Sequence, residues 1–139
     1  MTACAKCGHD PEAQVSASWT FDIDREVHSL NGRSVNVKGW RGGVYKRDRD
    51  AWQWALKVAR INQRIPIATA KRRVTLTRHY SGKQREFDRG NLIGGCKMIL
   101  DAMVRESLIV DDKAEYLEDH YGQERSDHSG MSILLEELA

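Results

Sequence analysis

Three carboxylates bracket one amphipathic stretch of the chain. Asp88 opens, and Asp111 and Asp112 close, the segment FDRGNLIGGCKMILDAMVRESLIVDD, which runs from Phe87 to Asp112. A hard cation such as Mg2+ takes oxygen ligands, and proteins offer it one or two carboxylates while water and substrate phosphate fill the rest of its shell. Acids gathered by folding would therefore suit metal-assisted hydrolysis of a phosphate ester. Kept apart, the same acids do separate jobs, Asp88 as a helix cap and Asp111-Asp112 as a turn. The helix between them would hold its ends about 25 Å apart. Convergence thus requires the chain to return along a neighbouring strand, or a second subunit to complete the site.

A second set of candidate ligands, Cys4, Cys7 and His9, lies in CAKCGH. Two thiolates spaced Cys-x2-Cys grip one side of a tetrahedral Zn2+, so this is half of a zinc knuckle. His28 is the nearest spare ligand. Cys96 falls on an apolar helix face, where a free cysteine packs as a small hydrophobe. An arm with exposed thiols is the other reading. His79, His120 and His128 are scattered and read as surface or hydrogen-bonded groups. The sequence shows no nucleophile elbow and no Gly-rich nucleotide-binding motif, so acyl chemistry and that mode of nucleotide binding have no support.

Hydrophobic periodicity supplies the elements that must position these groups. Trp19, Phe21 and Ile23 alternate with Thr20, Asp22 and Asp24, so 18–27 reads as a strand. Residues 28–45, rich in Gly, Asn and basic side chains, read as a long loop, and loops of that length in compact domains are often functional. Helical spacing covers 47–63, with Trp52, Leu56 and Ala59 on one face and Pro66 beyond the end. Val74 and Leu76 alternate with Thr75 and Thr77 in a strand over 70–80, and SGKQRE is a polar turn. Asp88 is placed to cap a helix over 89–106. Leu92, Cys96, Ile99, Leu100 and Met103 share its apolar side, and Asn91, Gly94, Lys97, Asp101 and Arg105 its polar side. Asp101 is spaced to pair with Lys97 on that surface. Gly94-Gly95 would admit a phosphate backbone, a partner helix or the fold's own sheet. Residues 114–124 read as a strand, and 131–138 as a closing strand with helix as the alternative. The order β-loop-α-β-α-β-β predicts an α/β (α+β) fold with two main helices on one mixed β-sheet. Residues 1–16 form an arm or partial zinc knuckle, and 17–139 the domain.

The segment FDRGNLIGGCKMILDAMVRESLIVDDKAEY resembles the signature of the RusA family of Holliday junction resolvases, common in phages and prophages. Asp88, Asn91, Leu92, Lys97, Asp101, Ala102 and Asp111-Asp112 stand in matching positions, and the likeness extends over roughly 18–138. The resemblance implies a homodimeric, Mg2+-dependent endonuclease, with Mn2+ as a substitute ion, that cuts paired strands of a four-way DNA junction in recombination or repair. It implies Asp88, Asp111 and Asp112 as metal-site acids and Lys97 as a catalytic cation near the scissile phosphate. Two departures stand out. Gly90 replaces a family acid, which leaves open a protein that binds branched DNA but cuts it weakly or not at all. Lys97 lies one turn later than the lysine of some members, whose place is taken by Gly94.

Charge distribution fits a polyanionic partner as well as it fits a solvated mixed-charge surface. Residues 33–89 carry 16 Lys and Arg against 4 Asp and Glu, while the rest of the chain carries 6 against 16. Arg33, Lys38, Arg41, Lys46 and Arg47 from the loop and its exit, with Lys71, Arg72 and Arg73, are candidate phosphate contacts that give affinity without sequence selectivity. Trp40 and Arg41 would stack on or wedge an unpaired base at a junction centre. No apolar run approaches a membrane span, and the start of the chain does not read as a signal peptide. With three cysteines, an odd number for a disulfide framework, these features predict a cytoplasmic protein.

Overall fold

The computed structural model describes residues 14–28 and 45–138. They form four strands, β1 (Val15–Ile23), β2 (Arg72–Tyr80), β3 (Leu117–Arg125) and β4 (Gly130–Leu138), with two helices, α1 (Tyr45–Gln63) and α2 (Arg89–Arg105). The order of the described elements is β-α-β-α-β-β, as the sequence predicts, and 131–138 is a strand and not a helix. The fold is α+β. The strands lie in one mixed sheet in the order β1-β4-β2-β3. β4 runs antiparallel to both β1 and β2, and β2 runs parallel to β3. α2 is the crossover that joins the parallel neighbours β2 and β3, because parallel strands cannot be linked by a tight turn. The short turn after β3 passes the end of β2, where the Ser126 amide donates to the Tyr80 carbonyl at 2.9 Å.

Register sorts the side chains onto two faces. Val74 and Leu76 of β2 pair with Leu135 and Ile133 of β4, and Ile133 in turn opposes Phe21 of β1. These residues are buried with Trp52 and Leu56 of α1 and with Leu92, Cys96, Ile99 and Met103 of α2. Each such side chain contributes about 1.5–3 kcal/mol relative to exposure. The opposite face carries Thr75, Thr77, His79, Ser132 and Leu134, all partly exposed. Both helices stop at a non-glycine residue in the left-handed region, Arg64 at φ 53° and Ser107 at φ 60°. The amides that follow bond back into the last turns, Ile65 to the Arg60 carbonyl at 3.0 Å and Leu108 to that of Met103 at 2.9 Å. Leu108 and Ile109 then plunge into the core at 0% and 1% exposure and turn the chain back toward β3. Among the described residues no helix is long and apolar enough to cross a membrane.

Candidate functional site

Asp88 is held in place from both sides. Gln123 of β3 clamps the preceding residue: it accepts from the Phe87 amide at 2.9 Å and donates to the Phe87 carbonyl at 2.8 Å. Asp88 itself is extended, at φ −67° and ψ 161°, and caps α2. Its Oδ1 accepts from the Asn91 amide at 2.8 Å, and its Oδ2 from the Asn91 side-chain nitrogen at 2.9 Å. Gln123 carried no signal in the sequence, because the match between a strand side chain and a remote backbone exists only after β3 is laid beside β2.

Lys97 projects from the polar side of α2, with its side chain 66% exposed, and its Nζ lies 3.7 Å from Asp112 Oδ2. Asp111 Oδ1 accepts from the Asp112 amide at 2.7 Å, and Lys113 Nζ lies 4.0 Å from Asp111 Oδ2. The return loop therefore brings the Asp111-Asp112 pair alongside the middle of α2. Lys97 is nine residues beyond Asp88, about 13 Å of helical rise, and its long side chain leans back over part of that span. Among the described residues no group of three or more His, Cys, Asp or Glu is arranged to hold a metal ion. Folding thus brings Lys97 to Asp112 but does not gather Asp88, Asp111 and Asp112 into one three-carboxylate group within a single chain.

Several candidate residues take other places. Asp101 accepts from the Tyr45 hydroxyl at 3.1 Å and does not pair with Lys97, whose partner is Asp112. The Tyr45 hydroxyl is held protonated, its pKa raised first by burial and then by that carboxylate. Gly95 faces the chain's own backbone: a Cβ there would meet the His28 carbonyl oxygen at 2.2 Å. Cys96 is fully buried, and burial pushes its thiol up to about 12, so it is core and not a thiolate ligand at neutral pH.

The basic candidates divide. Lys46 and Arg47 are exposed on the first turn of α1, and Lys71 is partly exposed before β2. Arg72 and Arg73 do not offer themselves to phosphate. Arg72 is 0% exposed, donating to the Leu108 carbonyl at 2.9 Å, the Pro66 carbonyl at 3.0 Å and Glu137 at 3.0 Å. Arg73, 8% exposed, pairs with Glu118 and approaches Glu136 at 3.7 Å. Both are strand residues whose long side chains find carboxylates on β3 and β4, so the two arginines of KRR form internal ion pairs and not a surface patch. Arg33, Lys38, Trp40 and Arg41 lie outside the described residues, as do Cys4, Cys7 and His9.

No protein-family model matches this chain, and no curated protein matches it significantly. The donors around Asp88 and Asp111-Asp112 are all carboxylate oxygens, the type a hard cation selects. Their arrangement supplies an adjacent pair with a lysine at hand and, at the start of the helix, a single capping acid. That set suits an ion completed by substrate and water, and does not form a closed protein cage.

Proposed function

We propose that the chain is a structure-selective DNA endonuclease of the Holliday-junction-resolving type, working as a homodimer with Mg2+ or Mn2+ in the cytoplasm. The reading rests chiefly on one observation: Lys97 of α2 reaches Asp112 of the return loop, on the helix whose first turn is capped by Asp88. All three belong to the segment that resembles the resolvase signature. A cation held by Asp111 and Asp112 would supply an activated water and offset charge on a phosphate. The chain's own contributions are orientation of those carboxylates, a lysine that adds positive charge beside them, and exposed Lys46, Arg47 and Lys71 for backbone phosphates. A two-fold dimer supplies two symmetric cuts, which a four-way junction requires.

A second reading, branched-DNA binding without cleavage, is favoured by Gly90 and by the absence of a three-acid group among the described residues. Synthetic four-way junctions with Mg2+ or Mn2+ decide between them. Cleavage predicts paired symmetric nicks that Asp111→Asn or Asp112→Asn abolishes while junction binding persists. Tight binding with no nick from the wild-type protein selects the second reading, and neither binding nor nicking discards both.

A further inference from the structure

Arg78 lies toward the Tyr80 end of β2, on the helix-covered face of the sheet, and is only 5% exposed. A guanidinium withdrawn that far from water is normally paired with a carboxylate. Here Nη1 donates to the Arg85 carbonyl at 3.0 Å and to the Gln123 side-chain oxygen at 2.9 Å, and both acceptors are neutral. Nε and Nη2 make no hydrogen bond among the described residues. The cation stands 3.6 Å from the Phe87 ring centroid and 5.3 Å from that of Tyr80, contacts that orient its plane without cancelling its charge. Burial lowers its pKa, yet arginine stays charged in proteins.

The same side chain lines a cavity of about 290 Å³. Arg85, Gln84 and His28 add a second guanidinium, an amide and an imidazole to its walls, and Glu26 is the one acid among the lining residues. Glu26 is held by Gln84 Nε2, and His28 lies 3.3 Å from Asp48. Phe87, another wall residue, immediately precedes Asp88. Glu26 is the one carboxylate whose charge acts on Arg78, and no hydrogen bond joins the two. A fork of donors with no carboxylate bonded to it, in an open cavity next to a candidate catalytic turn, matches the bidentate geometry of a phosphate.

We propose that this cavity seats a backbone phosphate of the DNA next to the strand presented at Asp88, with Arg78 as its fork-shaped donor and Arg85 as the second cation. The choice of DNA as the source of the phosphate rests on the nuclease reading above. The experiment titrates the full chain with inorganic phosphate, a mononucleotide and a four-way junction at matched ionic strength, following the Arg78 Nε–H and Phe87 amide resonances. Both resonances are expected to move with phosphate, and to saturate at far lower concentration with the junction. Arg78→Lys, which keeps the charge but loses the fork, is expected to weaken junction binding roughly 10-fold. Because that variant alters a buried site, Glu26→Gln is the companion. Removing the wall acid is expected to tighten phosphate and junction binding roughly 3-fold or more, while the exposed Glu86→Gln leaves both unchanged. Resonances unmoved by phosphate, or equal effects of the Glu26 and Glu86 substitutions, overturn the proposal. Saturation by the mononucleotide at concentrations as low as by the junction overturns its assignment to DNA. Nicking with an unresponsive cavity removes this inference and leaves the nuclease reading intact; a responsive cavity without nicking does the reverse.

Discussion

Asp88 carries two roles that one substitution can separate. Its carboxylate satisfies an orphan amide of α2 through Asn91, work that a neutral acceptor also performs. Asp88→Asn is therefore expected to melt close to the wild-type temperature yet lose metal-dependent nicking, whereas Asp88→Ala costs about 1 kcal/mol of stability in denaturant titration. Normal nicking by the Asn variant would reduce Asp88 to a cap. Gly90 lies two residues on, and a Cβ built there meets nothing nearer than Asp88 Oδ1 at 3.7 Å. A side chain thus fits without displacement, and an acid in the first helical turn also suits the helix dipole. Gly90→Asp is expected to fold normally and to lower the Mg2+ concentration for half-maximal nicking roughly 10-fold, equivalent to about 1.4 kcal/mol of binding. An unchanged Mg2+ dependence would place the ion away from this turn.

At the scale of elements, α2 is the frame of the site. Its apolar side fixes it to the sheet, so its polar side must present Lys97 outward, and the buried Leu108-Ile109 step forces the following acids back along it. The helix also fastens both flanks of the segment 29–44. Gly95 receives the His28 carbonyl on one side, and Asp101 accepts from Tyr45 on the other. Arg25 and Asp48 tie the two flanks to each other at 3.0 Å. A methyl group at position 95 would collide with backbone that cannot rotate away, so Gly95→Ala is expected to cost about 1–3 kcal/mol despite its better helix propensity. A thermal melt reads this directly, and an unshifted Tm would mean that the His28 backbone yields freely.

Across the whole molecule, the excess of positive charge in the middle of the sequence divides into internal and external parts. Arg72 and Arg73 are consumed by carboxylates of β3 and β4, while Lys46, Arg47 and Lys71 remain toward solvent. The two groups should respond oppositely to substitution. Arg72→Ala orphans two carbonyls and Glu137 and is expected to cost about 3 kcal/mol of stability, seen as a lower denaturant midpoint. Lys46→Ala with Arg47→Ala is expected to leave the midpoint unchanged and to flatten the salt dependence of junction binding. The log-log slope should fall by about 0.9 for each DNA phosphate that the protein no longer neutralises. A pair of surface substitutions that leaves that slope intact would move the DNA path away from α1.

The periodicity of Trp19-Phe21-Ile23, of Val74-Leu76 and of the Leu92-to-Met103 stripe was enough to place β1, β2 and α2, because burying one face of an element imposes its period on the chain; β3 has little such pattern, and β4 left helix open as an alternative. The Asp88 cap and the core position of Cys96 were legible for the same local reason. Strand order was not, since β4 inserts between β1 and β2 through pairings between residues remote in the chain, such as Phe21 with Ile133 and Val74 with Leu135. Nor was the fate of the charges. Whether an arginine meets a phosphate or a neighbouring glutamate, and whether Asp88 meets Asp112, depends on distances that only the packed sheet and its crossover create.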